Sequence, residues 1–204
     1  MNNRKEFFRL TCVLAVLVPV PGRLAYGIIT ILLLIWVMTV GSLLKIVIQR
    51  LRLEDFEQIT TVAVLAALVV IFRQFLTLFS PVISLTMSFS VYIIGFSSVV
   101  IGGLFSSFGE DTPVSLSRLL HRNIKTVLNL IPPMLAFYAL RDILGYGTLT
   151  LPATSHLLEW KIMHIADADG IGFWGTAGGA FILLGIYLGI YLFCTRKLRI
   201  AERS

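Results

Sequence analysis

Charge is what this sequence has little of. Only 14% of its 204 residues are Asp, Glu, Lys or Arg, where a soluble domain carries about 25%. Acids are the scarcer sign: 11 Asp and Glu stand against 17 Lys and Arg, a formal charge of +6. Cysteine is scarcer still, and two cysteines cannot build a disulfide framework. There is no Gly-rich phosphate loop, no Ser/His/Asp constellation and no nucleic-acid motif. These absences exclude a water-soluble enzyme, a disordered tail, a collagen-like rod and a disulfide-stapled secreted module. What fills the chain is apolar: 57% of residues are hydrophobic and the mean hydropathy is +0.89. In so apolar a chain the basic excess reads as loop charge that sets orientation in a membrane, not as a nucleic-acid footprint.

A helix crosses the hydrocarbon core with about 20 mostly apolar residues. Residues 24–44, 82–105 and 170–195 carry no charge, and 59–80 carry only Arg73. Residues 125–140 make a shorter segment holding Pro132 and Pro133, which are expected to break or kink it. The remaining candidate, residues 7–20, is interrupted by Arg9 and closed by Pro19 and Pro21. It is too short to span alone with ease and reads as a half-helix or re-entrant piece. No small-residue cleavage site follows it, so it does not read as a signal peptide. The expectation is an all-α integral membrane protein with one membrane domain, 1–204.

Charge chooses between five crossings and six. Six crossings put Arg23, Arg73, Arg141 and Lys161 on one side of the membrane and the other 13 of the 17 basic residues on the opposite side. A re-entrant first segment moves Arg4, Lys5 and Arg9 across, and the split falls to 10 against 7 of the 17. The positive-inside rule favours the sharper split, which gives six transmembrane segments with both termini cytoplasmic. Six divide into two sets of three near Ser80 and Pro81, as 1–80 and 81–204. Three is odd, so the halves enter from opposite sides: the arithmetic of an inverted repeat, whose discontinuous helices build a site near the midplane. The first and fourth segments hold corresponding places and are the expected half-helices.

Four stretches then point the same way. RDILGYGTL at 141–149 resembles the R-E-[IL]-L-G-x-G-T-L stretch of the six-helix membrane subunits of Rnf and Nqr electron-transport complexes. GAFILLG at 179–185 is similar to the start of their last helix. LTCVLAV at 10–16 resembles their L-G-L-C-P-L-x-A-V, and SSVVIG at 97–102 falls where they have N-C-I-V-L-G. The likeness runs along nearly the whole chain in order, and the orientation agrees with the E-type subunit of Rnf (D-type of Nqr) rather than its inverted A-type sibling.

The resemblance implies a bacterial inner-membrane subunit with no activity of its own. Within an ion-translocating, NAD-linked oxidoreductase it would pair with an oppositely inserted homologous subunit. Each partner would give two cysteines to a shared [2Fe–2S] cluster, in a conduit coupled to Na⁺ or H⁺ transport. Thiolates hold such clusters, four to each. Here Cys12 stands at the first ligand position but Ser98 at the second, and a hydroxyl ionises far less readily than a thiol. Three outcomes stay open: a cluster held by Cys12 with Ser98 or water, a different alignment, or a cluster-free scaffold. A small inverted-repeat transporter is the alternative from another class.

Other conspicuous residues read blandly. Cys194, at the end of the last segment, reads as a small buried hydrophobe. Arg73 snorkels to the interface, or else pairs with an anion on a neighbour. Arg141 and Asp142 cap a helix end or contact a loop, with Gly145 and Gly147 in the turn that ends the helix. His156, His164, Asp167 and Asp169 fall in a solvated outer loop of no metal-binding spacing, with Trp160 and Trp174 suited to the membrane interface. Lys45, Arg50, Arg52 and residues 118–125 supply topology-setting charge.

Overall fold

The computed structural model describes residues 11–50, 56–105, 116–153, 157–162 and 172–201, except for the side chains at 49–50, 57–58, 98–99, 105, 116 and 194–201. The chain is mostly helical. Helix α1 covers residues 11–17. It is followed by α2 (Leu24–Arg50), α3 (Glu57–Phe79), α4 (Pro81–Thr86), α5 (Ser90–Gly95), α6 (Ser98–Phe105) and α7 (Leu116–Tyr146). After α7 come β1 (Thr148–Pro152) and β2 (Leu157–Lys161), then α8 (Gly172–Gly175) and α9 (Ala177–Ala201).

Helix α2 is rich in Ile, Val and Thr, residues that lose rotamer freedom in a helix and form it poorly in water. In lipid that preference is overruled, because a helix satisfies every backbone N–H and C=O from within the segment. Among the described residues, three stretches are long and apolar enough to cross a membrane: Leu24–Ile48, Ile59–Phe79 and Ser117–Tyr146. Ala177–Phe193 is a shorter apolar helix.

The core forms around α2, which packs along α7 and also touches α3, α5, α6 and β1. The α2–α7 pair is antiparallel: Leu24 lies beside Asp142, Gly27 beside Tyr138 and Ser42 beside Asn123. Leu33, Leu34, Met38, Met134 and Phe137 fill the seam and are buried. The outer faces are apolar too. Leu78 of α3 is 83% exposed, Leu85 of α4 77% and Phe193 of α9 68%. Contiguous surfaces of that kind suit hydrocarbon and not water.

Three features depart from or refine the expectations. The fourth segment is not one helix but α4, α5 and α6, interrupted at 87–89 and 96–97. Helix α7 runs unbroken for 31 residues through Pro132 and Pro133, although the prolines remove the donors for the carbonyls of Leu128 and Asn129. Tyr187 of α9 braces that point, its hydroxyl donating to the Pro133 carbonyl at 2.9 Å.

The outer loop is partly a hairpin. Strands β1 and β2 pair antiparallel from Thr148↔Lys161 to Pro152↔Leu157. Gly147 ends α7 with φ 66°, a left-handed turn that favours glycine. Gly145 remains inside α7, where its missing side chain admits the Gly175 backbone: a Cβ would lie 2.9 Å from the Gly175 nitrogen. Arg23, just ahead of α2, pairs with Glu159 of β2 and lies 5.0 Å over the Tyr146 ring, which clips the hairpin to the bundle.

Close approach of α2 and α7 depends on Gly27, where a Cβ would fall 2.5 Å from the Tyr138 ring, whereas one at Gly189 meets nothing within 4 Å. Gly27→Ala is therefore expected to destabilise the bundle by about 1–3 kcal/mol through overpacking. Gly189→Ala should be neutral. Thermal unfolding of the two variants in detergent, followed by circular dichroism, checks the contrast.

Candidate functional site

The polar interior begins with two adjacent charges. Arg141 and Asp142 occupy the end of α7 and are only 2% and 0% exposed. Buried charges need partners and hydrogen bonds, and these two find them in different elements. Arg141 Nη1 donates to the carbonyls of Val18 (3.2 Å) and Val20 (2.7 Å), and Nη2 donates to that of Gly175 (3.0 Å). Val18 and Val20 follow α1, so a cation sits where that helix leaves orphan carbonyls and the negative end of its dipole. A side chain at Gly22 would strike Arg141, with a Cβ 2.7 Å from Nε.

Asp142 does the converse for α2. Its Oδ2 accepts from the backbone N–H of Leu24 (3.1 Å), the first residue of α2, and from the Thr150 N–H and Oγ1 (both 2.8 Å). Its Oδ1 accepts from Thr148 Oγ1 at 3.1 Å. Thr150 Oγ1 in turn accepts from the Ala25 N–H at 3.2 Å. A carboxylate borrowed from α7 thus does the work of an N-cap for α2. The pair was read as a cap or loop contact; it caps two helices other than its own. Thr148 and Thr150, which sequence reasoning did not single out, alternate with Leu149 and Leu151, and that period of two was the available signal.

The far end of the α2–α7 pair has its own buried cation. Lys45, assigned to loop charge from sequence, is 1% exposed. Its Nζ donates to the carbonyl of Leu104 at the end of α6, again the negative end of a helix dipole. Beside it Asn123 Nδ2 donates to Ser42 Oγ at 2.8 Å, and Ser42 Oγ donates to the Met38 carbonyl. Ser42 and Lys45 are three residues apart on one helical face, which is how an apolar stripe accommodates them together.

The two ends are related. Lys45 and Arg141, Ser42 and Tyr138, and Gly27 and Asn123 are each 96 positions apart (141 − 45, 138 − 42, 123 − 27), and so are Met38 and Met134. Each of these pairs is buried. Any antiparallel helix pair has a local two-fold, but that alone does not require a cation at each end, each closing a short helix.

Cys12 lies on α1 as a half-buried free thiol, six residues before Val18, a helical rise of about 9 Å. Ser98 is the first residue of α6, and its side chain lies outside the described residues, as do Cys194 and the loop residues His156, His164, Asp167 and Asp169. Ser97, next to Ser98, is 4% exposed and its hydroxyl has no partner. The α5–α6 junction is mid-bundle: Gly95 packs on Val69 of α3, where Trp36, half-way along α2, bonds the neighbouring Leu68 carbonyl at 3.3 Å. Among the described residues no three His, Cys, Asp or Glu come together as a metal site. Arg73 Nη1 donates to Tyr92 Oη of α5 at 3.0 Å. Comparison of the chain with protein-family models, with curated proteins and with solved structures finds no match.

Removing Asp142 leaves the Leu24 and Thr150 N–H groups without their acceptor. Asp142→Ala is expected to cost about 2–4 kcal/mol of stability, and Thr148→Val, which deletes one neutral donor, about 1 kcal/mol. Melting in detergent by circular dichroism gives the comparison.

Proposed function

We propose that this chain is a six-span membrane subunit of an Rnf/Nqr-type ion-translocating oxidoreductase of the bacterial inner membrane. It works beside an oppositely inserted homologous subunit and the complex's other subunits, as part of a transmembrane electron path, with both termini cytoplasmic. The observation that carries this reading is the reciprocal closure of the two short helices: Arg141 of α7 holds the end of α1 and Lys45 of α2 holds the end of α6. A two-fold inverted repeat requires such an exchange between halves, and the shared 96-residue spacing supports it. In this arrangement α2, α3 and α7 are the second, third and fifth crossings, and α1, the broken α4–α6 and α9 are the first, fourth and sixth.

The donor set does not match a full share of a [2Fe–2S] cluster, which takes four thiolates. This chain offers the thiol of Cys12 and, at the other position, only the hydroxyl residue Ser98 beside the unpartnered Ser97. The mismatch favours a second reading within the same complex: a subunit kept for assembly, cluster-free.

Affinity purification from the native membrane tests the proposal. A second six-span homologue and flavin- or iron–sulfur-bearing subunits should copurify. A chain that purifies alone and moves a solute in liposomes overturns it in favour of a transporter. Iron content separates the two readings. A cluster-free subunit should gain iron when Ser98→Cys restores the second thiol and lose it again in the Cys12→Ala, Ser98→Cys double variant. Wild-type iron that disappears with Cys12→Ala alone rules the cluster-free reading out.

A further inference from the structure

Arg73 is the only charged residue between Ile59 and Phe79. It lies six residues before Phe79, about 9 Å of helix rise from the α3–α4 turn at Ser80. Its guanidinium donates to Tyr92 Oη at 3.0 Å and lies 5.7 Å from that ring's centroid. Nearer the turn, Thr77 Oγ1 and Ser84 Oγ share a hydrogen bond of 2.6 Å. Two polar steps therefore climb the seam between α3 and the α4–α5 segment, from Arg73 to the turn. On the α4–α5 side the surface is apolar: Leu85 is 77% exposed and Phe89 71%.

The guanidinium carries a charge that the described chain leaves unbalanced. The carboxylates whose side chains are described are Asp142 and Glu159. Asp142 is enclosed by Leu24, Thr148 and Thr150, and Glu159 pairs with Arg23. Tyr92 takes one of the five guanidinium N–H donors and is itself left with a proton to donate. A planar fork beside a phenol O–H matches the oxygens of a phosphodiester.

We infer that the α3–α4–α5 seam is a phospholipid site. The phosphodiester sits on Arg73 and Tyr92, and the acyl chains lie on Leu85 and Phe89. A lipid supplies the anion and the apolar body in one molecule, and it is the solvent of this face. A membrane protein partner would have to bring a carboxylate into hydrocarbon at its own desolvation cost. The inference needs only that α3 cross a bilayer and stands apart from any electron-transport role.

Native mass spectrometry of the full chain tests it, with the protein purified in mild detergent and supplied with phosphatidylglycerol or phosphatidylethanolamine. One lipid of either headgroup should survive delipidation, since both carry the phosphodiester. Arg73→Gln should weaken retention about tenfold. Arg73→Lys, which keeps the charge and loses the fork, should fall between, and Tyr92→Phe should weaken it less; these two milder changes keep the test usable if Arg73→Gln does not fold. Circular dichroism and gel filtration establish folding. A wild-type chain that retains no lipid, or a folded Arg73→Gln chain that retains it like wild type, overturns the inference. So does an Arg73→Gln chain that sheds a copurified membrane subunit while keeping its lipid.

Discussion

The bundle hangs on two charges that are neighbours in sequence and serve different partners. Arg141 turns to the carbonyls that end α1, and Asp142 turns to the N–H groups that begin α2 and to the threonines of β1. A helix reversal inside a membrane exposes orphan donors on one side and orphan acceptors on the other, with no water to take them. One cation and one anion from the end of a third helix answer both needs at once. The link 18–22 can consequently lie against α7 without a polar side chain of its own, provided residue 22 has no side chain to displace the guanidinium.

The opposite end of α2 and α7 solves the same problem with fewer parts. Lys45 closes α6, and the Asn123–Ser42 bond ties the long helices together. Between these polar ends the seam is apolar, so the α2–α7 pair is held at its two ends by hydrogen bonds and along its middle by packing. The broken segment α4–α6 is carried on this frame, with α5 and α6 both against α2. Irregular backbone at membrane depth is tolerated only where protein covers it, and the buried Val91, Ile94 and Val100 show that it is covered.

The proposed role and the proposed lipid seam occupy different parts of this frame. Cys12 belongs to α1, and Ser97 and Ser98 to the start of α6, while Arg73 and Tyr92 belong to the seam between α3 and α5. The thiol–hydroxyl mismatch at the first pair and the unbalanced guanidinium at the second have a common root. A chain with only 11 acids and two cysteines has few groups of its own with which to complete a metal or ion site.

Much of the scaffold was legible in the residues. Long apolar runs mark α2 and α3 because each crossing must satisfy its own backbone over a fixed thickness, a local requirement that composition records. The interruption near 95–98 was signalled by the glycines and serines of that stretch. Pro132 and Pro133 do not break α7, because a proline's local cost is overridden when neighbouring helices hold the segment on either side. Lys45 misled for a related reason: counted as loop charge, it is buried because the end of α6 lies 59 residues away in sequence yet within hydrogen-bond reach. The partners of Arg141 lie 121 and 123 residues away. Sequence by itself determined that the chain carries helices long and apolar enough for lipid and where the longest of them run, since hydrophobic length is written residue by residue. Only the tertiary structure decided which charges are interior and which helix ends they close, since that depends on contacts between distant segments that no local pattern encodes.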